Sequence, residues 1–452
     1  MNYRNWSRVI LLSVLLILIV SFKTFGASHP CCPEDPELQY YLSPNSSQRF
    51  QYLVRYETFF STVLNKEKNF FVILPEEYYK NPRSKYPVLF LLHGYNFHRT
   101  GSTWKVRSPE KARRVLCEVK EEEYHWLLHQ DIPVIASAMM DFRNRTYRDL
   151  ERSLVERFEE LSKHNGLGKE DYKPRQIAQG IVFHNLHPKG HPEDPFQPIQ
   201  KMVIVLPDGD NGFYTDENEG KLLFPETKSQ KACDDFEQGE AFNYSLLPFF
   251  SMKPGALGRY ESYFMEMVQY FHSQSSYRER ILQRRGIGGM SMGGFGAMKL
   301  GLKHPNLFQS ISSQSGLLDI ELLKDKWTLK MVMPEFLEVF GRLEINKFPP
   351  ASSIDLKHLR NNNPMDLLKQ KKIMQLPSSF YFDYGEKEGY SWITDANQNV
   401  ERMLSRKGHQ IMKQPFNGGA GHNYQFWRSR SGNILRHHSD VFRRILSAQP
   451  QP

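Results

Sequence analysis

Residues 286–297, Gly-Ile-Gly-Gly-Met-Ser-Met-Gly-Gly-Phe-Gly-Ala, gather six glycines around one serine. Within them lies Gly-x-Ser-x-Gly, centred on Ser291. Such spacing suits a strand that turns abruptly into a helix, with the serine in a strained conformation at the apex. A β-carbon two positions before or after the serine would collide across so tight a turn, which is why both places hold glycine. The context agrees, because a helical pattern over 260–271 and a strand lead in while small residues start a helix on the far side. The serine hydroxyl then stands clear of its neighbours, and the next amide, that of Met292, can point at a developing anion.

The rest of the chain fits strands alternating with helices, an α/β fold built on a mostly parallel central sheet. Residues 57–64 and 68–75 predict an antiparallel hairpin joined by Asn65-Lys66-Glu67. Residues 87–92 and 202–206 are unbroken apolar runs, as expected of strands buried on both faces. Helices are predicted over 109–129, behind Ser108 and Pro109, and around Leu150, Leu154, Phe158 and Leu161, whose spacing lines one face. A last strand is expected over 410–414 and a C-terminal helix near 437–447.

A serine hydroxyl is a weak nucleophile until a base takes its proton, and that base is normally a histidine oriented by a carboxylate. On such a fold the order along the chain is serine, acid, histidine. After Ser291 the best-placed histidine is His422, in a glycine-rich loop beyond the last strand. His304 reads as the end of the elbow helix, and His437 and His438 as surface residues of the C-terminal helix. For the acid, 379–383 reads as a strand ending in Asp383, and Glu388 lies in the loop beyond Gly385. The loop position favours Glu388; Asp383 stays open.

Together these residues resemble the putative-esterase (esterase D-like) family of α/β-hydrolases. The similarity rests on 87–94 followed by Trp104, on 205–209 with Phe213 and Tyr214, on 289–294, on His304-Pro305 through Ser315-Gly316, on Asn363-Pro364, and on 421–423 with Trp427. It implies an acyl-enzyme mechanism without a cofactor, and a second oxyanion donor in the backbone amide of Tyr95. The family usually carries Asp where this chain has Glu388. The stretch between Gly94 and Pro207 is also longer than the family implies, so an insertion is expected at about 105–200, with another over 217–257, as candidate lids. Trp104, Tyr214 and Trp427 are candidate substrate-binding aromatics.

The N-terminus carries Arg4 and Arg8, an apolar run over 9–20, and small and polar residues to Ser28. This predicts a secretory signal peptide over 1–27, with an uncleaved anchor as the alternative, then an extension over 28–56 and the hydrolase domain over 57–447. Cys31, Cys32, Cys117 and Cys233 permit two disulfides outside the cytosol, or free thiols. Glycosylation sequons start at Asn45, Asn144 and Asn243. With 59 Lys+Arg against 50 Asp+Glu, the charge excess is too small to indicate nucleic acid. Arg284-Arg285, Arg428 with Arg430, and Arg443-Arg444 read as solvated faces. His184, His187, His191, Glu193 and Asp194 lack a metal-binding frame and read as a solvated loop, so no metal is expected.

The expectation is therefore a secreted or periplasmic serine ester hydrolase acting on a small-molecule, glycan or lipid ester. It would touch a membrane only through an uncleaved signal segment, and its oligomeric state is open. The alternatives are an acyltransferase to a sugar or lipid hydroxyl, and a non-catalytic binding protein on the same scaffold.

Overall fold

The computed structural model describes residues 54–95, 131–164, 173–185, 190–210, 212–216, 258–323, 336, 339–343, 352–370, 379–385, 388, 391–409, 411–413, 421–422 and 424–447. The predicted signal segment, the four cysteines, Trp104, His187, and the helix expected over 109–129 lie outside the described residues.

Apolar runs become the middle of the sheet. Strand β1 (Val54–Ser61) pairs antiparallel with β2 (Lys66–Ile73), and β2 pairs antiparallel with β4 (Val203–Pro207). Parallel pairing continues from β4 to β3 (Tyr86–Leu92), β5 (Ile281–Met290), β6 (Ser310–Gln314), β9 (Ser379–Asp383) and β10 (Ile411–Lys413). The order is β1-β2-β4-β3-β5-β6-β9-β10; β7 (Gly341–Leu343) and β8 (Ser352–Ile354) form a separate pair. This mixed sheet flanked by helices is the α/β-hydrolase fold, with the antiparallel hairpin at its start.

The unbroken apolar runs feed two cores by alternation, since successive strand side chains point to opposite faces. Val88, Phe90 and Leu92 join one core, Leu89 and Leu91 the other, and Val203 and Val205 divide from Ile204 and Leu206 in the same way. On the first face lie α4 (Tyr260–Ser273), α5 (Met292–Lys303) and α6 (Ser391–Arg406). On the second lie α1 (Ile132–Met139), α2 (Tyr147–His164), α3 (Pro174–Asn185) and α7 (Tyr424–Ser447). Leu150, Leu154, Phe158 and Leu161 are all fully buried there. Of the stretch expected to be inserted, the described helices thus cover the sheet as core; His184 ends α3 rather than lying in a loop.

Three local expectations are corrected. The hairpin turns at Thr62–Asn65 rather than Asn65–Glu67, with Ser61 opposite Lys66. Glu266, from α4, decides this: it accepts from Ser61 Oγ at 2.5 Å and from the Thr62 amide at 2.9 Å. The C-terminal helix spans 24 residues, beginning at Tyr424 instead of near 437. Lastly, His437, His438 and Arg430 are fully buried, not surface residues. His438 bonds Ser310 Oγ at 2.6 Å and Ser312 Oγ at 2.9 Å, in space left by glycines of β5. A Cβ on Gly286 would come within 2.6 Å of its ring. Burial pushes the His438 pKa well below its ordinary value, so the imidazole is neutral.

Candidate active site

The elbow forms as its glycines require. β5 ends at Met290, α5 starts at Met292, and Ser291 between them has φ 50° and ψ −118°. A side chain in this region is strained and persists only where its surroundings over-determine it. The surroundings here are backbone: a Cβ on Gly293 would meet Leu92 O at 2.0 Å, and one on Gly289 would meet Gly293 O at 2.4 Å. The Ser291 amide donates to Gln314 O at 2.8 Å, tying the apex to β6.

Ser291, His422 and Glu388 are brought together from three elements. His422 Nε2 lies 2.9 Å from Ser291 Oγ, and His422 Nδ1 lies 2.8 Å from Glu388 Oε2. Glu388 has no exposed side-chain surface. Its other oxygen, Oε1, accepts from the Gly385 amide at 2.6 Å and from Ser315 Oγ at 2.7 Å. A buried carboxylate with hydrogen-bond partners on both oxygens is held in one orientation. It therefore keeps the proton of His422 on Nδ1 and leaves Nε2 open towards the serine.

Asp383, the other acid expected for this place, is not beside His422. It closes β9 in the interior, accepting from Tyr381 Oη at 2.8 Å with the Arg430 guanidinium 3.9 Å away. Burial pushes its pKa up to about 6, against the lowering effect of Arg430.

Both amides expected to face an oxyanion sit near Ser291. Met292 opens α5, so its N–H lacks an intrahelical partner. Tyr95 follows Gly94, whose Cα side lies against Ser291: a Cβ there would be 3.5 Å from that of Ser291. The Gly94–Tyr95 peptide is held by His93, which in the sequence stands only as part of a strand-end motif. The Gly209 amide donates to His93 Nε2 at 2.8 Å, so Nδ1 carries the proton and donates to Gly94 O at 2.8 Å. Beneath it, Lys68 pairs with Asp208 at 2.5 Å and with Asp210 at 3.0 Å.

Two of the expected substrate-binding aromatics face inward. Tyr214 is fully buried, its ring filling the space over Gly209 and Gly296. Its backbone is left-handed at φ 49°, and its carbonyl accepts from the buried Lys299 of α5. Lys299 also bonds Thr215 Oγ1 at 3.0 Å and pairs with Glu261 at 2.8 Å; burial lowers its pKa to about 8 although Glu261 opposes the shift. Trp427 is buried behind His422, ring centroids 4.7 Å apart and edge-on at 84°. Its indole N–H donates to Ser315 Oγ at 3.1 Å. Both residues thus support the site's framework instead of lining an open pocket. Nothing in local sequence distinguishes such a role, because Gly296 and Lys299 for Tyr214, and Ser315 for Trp427, are remote along the chain.

The geometry is that of an activated serine, and the comparison with known families agrees. Residues 259–437 match the model of the "Putative esterase" family. The match takes in Ser291, Glu388 and His422, and it bears out the family resemblance over that stretch. The chain is also 24% identical over 244 residues to an acetyl esterase of Caldicellulosiruptor saccharolyticus, covering 53% of this chain and 73% of that protein. Among solved structures it is similar to a ferulic acid esterase, at 17% identity and a TM-score of 0.45 over 86% of this chain and 98% of that one. It is also similar to an S-formylglutathione hydrolase from Agrobacterium tumefaciens, at 14% identity and a TM-score of 0.44 over 86% and 95%. The strand order and the serine site, not these scores, carry the fold.

Proposed function

We propose that the protein is a serine carboxylic ester hydrolase, working through an acyl-enzyme on Ser291. The observation that carries this reading is the hydrogen-bonded sequence Ser291–His422–Glu388, with both bonds at or below 2.9 Å. The esterase family match and the acetyl esterase relative support the same class.

In this mechanism His422 Nε2 takes the hydroxyl proton as Ser291 Oγ attacks the ester carbonyl. The carbonyl oxygen becomes an anion facing the amides of Met292 and Tyr95. His422 then returns its proton to the departing alkoxide oxygen, the carbon–oxygen bond breaks, and the alcohol leaves. Water repeats the sequence on the acyl-enzyme, releasing the acid and restoring Ser291. Glu388 holds His422 Nδ1 and stabilises the imidazolium as it forms. The substrate is a small ester with a short acyl group, a choice supported by the acetyl esterase relative. The basic, apolar and small-residue succession over 1–27 supports export from the cytosol.

The test is intact-mass analysis of the purified full chain after exposure to a fluorophosphonate probe, beside Ser291→Ala. One adduct on wild type and none on the variant is expected, together with turnover of p-nitrophenyl acetate. A well-folded wild type that takes no adduct and turns over no ester would overturn the reading. Acyl transfer to an added alcohol in preference to water would replace hydrolysis by transfer.

A further inference from the structure

The carboxylate that faces His422 is held from behind by a serine and an indole that take no part in the proton transfers. Ser315 Oγ donates to Glu388 Oε1 at 2.7 Å, and Trp427 Nε1–H donates to Ser315 Oγ at 3.1 Å. Because the indole N–H can only donate, it occupies a lone pair of the hydroxyl and leaves the hydroxyl proton for Glu388. Ser315 is itself strained, with φ 49°, a left-handed conformation that L side chains avoid. Its amide donates to Asp383 O at 2.7 Å, and the neighbouring Gln314 Nε2 donates to Trp427 O at 3.1 Å. The end of β6 and the start of α7 are thus tied together at the point where the hydroxyl must sit. The indole packs against the His422 ring as well, the two planes nearly perpendicular.

We propose that Ser315 and Trp427 are positioning residues for the Glu388–His422 pair. The indole N–H orients the Ser315 hydroxyl. The hydroxyl fixes Glu388 with Oε2 towards His422 Nδ1, and the packed indole ring keeps the imidazole plane aligned with Ser291. Strain at Ser315 is the local cost of placing a hydroxyl where a glycine would fit more easily. This inference rests on the serine-esterase reading above.

The variants that test it are Ser315→Gly, which suits the backbone and removes the hydroxymethyl group, and Trp427→Phe, which removes the N–H along with part of the ring and leaves a smaller ring near His422. Both are compared with wild type, and with the double variant, by the rate of fluorophosphonate labelling, steady-state turnover of p-nitrophenyl acetate, and melting temperature. Loss of one hydrogen bond to a buried charged group predicts a fall of about 10- to 100-fold in kcat and labelling rate for Ser315→Gly. KM should stay within about twofold, since the lost contact acts on the transition state rather than on substrate binding. Trp427→Phe should lose less, and the double variant no more than Ser315→Gly alone, because both act through one hydroxyl. A merely structural bond between β6 and α7 would instead lower melting temperature while leaving kcat of the folded protein intact. Wild type that labels beside a folded Ser315→Gly that labels equally fast would overturn the positioning role alone. Additive losses in the double variant would overturn it too. Failure of wild type to label would overturn the esterase reading underneath.

Discussion

Replacing Glu388 by glutamine exchanges one carboxylate oxygen for an NH2 group and tests which acid serves His422. Oε1 of Glu388 receives two donors, the Gly385 amide and Ser315 Oγ, while Oε2 faces His422 Nδ1 alone among the described residues. The side-chain amide of Glu388→Gln has one oxygen and one NH2. Set at the first position, the NH2 would oppose a backbone N–H 2.6 Å away that cannot turn. It therefore goes to the second position and donates to Nδ1. His422 must then carry its proton on Nε2, facing Ser291 with a donor where an acceptor is needed. Tautomer reversal of this kind in an unrelated serine hydrolase lowers kcat by about 10⁴-fold. The expected loss here is about 10³–10⁴-fold, equivalent to about 4–5 kcal/mol of barrier. Asp383→Asn, measured alongside, should keep kcat within about tenfold, because Asp383 hydrogen-bonds Tyr381 rather than histidine and acts on the site only at a distance. The assay is steady-state hydrolysis of p-nitrophenyl acetate at saturating substrate, on protein whose near-UV spectrum matches wild type. A Glu388→Gln enzyme within tenfold of wild type, with Asp383→Asn collapsed, would refute the tautomer argument and return the role to Asp383.

Asp383, with a folded pKa of about 6 against an ordinary 3.8, binds its proton more tightly when folded; its contribution is present below pH 4 and disappears as pH rises through about 6. Urea denaturation from pH 4 to 7 should show that decline in wild type and lack it in Asp383→Asn. Gly293→Ala places a Cβ 2.0 Å from a backbone oxygen that cannot yield, so a loss of more than about 4 kcal/mol, read as insoluble or unfolded protein, is expected. Asn144 belongs to a sequon but is buried, its side-chain amide donating to Ala138 O at 2.8 Å. Folded protein from a glycosylating host should therefore carry no glycan there by peptide mass mapping, and Asn144→Ala should cost about 0.5–1.5 kcal/mol through the lost hydrogen bond, since the Asp141 amide still donates to Ala138 O.

The elbow was legible in sequence because part of its demand is local: a Cβ on Gly289 would meet the Gly293 backbone within one turn, while Gly293 is pressed in addition by Leu92 of the neighbouring strand β3. The central strands were legible for the same kind of reason, an apolar side chain at every position serving both faces. The hairpin was legible as a hairpin but not in its turn, which Glu266 sets from more than 200 residues away. The C-terminal helix was legible only at its end, since Arg430, His437 and His438 break the apolar stripe while lying on the buried side.

By itself, then, the sequence determined the class of fold and the positions of Ser291 and His422 within their loops, because steric limits and strand alternation act between near neighbours. It narrowed the acid to two residues five apart. Only the tertiary structure separated them, by setting the Glu388 carboxylate 2.8 Å from His422 and turning Asp383 towards Tyr381 and Arg430. The same holds for Ser315, Trp427 and His93, whose partners lie many residues away, or are backbone groups that any residue type would supply. A hydrogen bond between distant segments leaves no period in the chain; it exists only once the sheet has brought the two ends together.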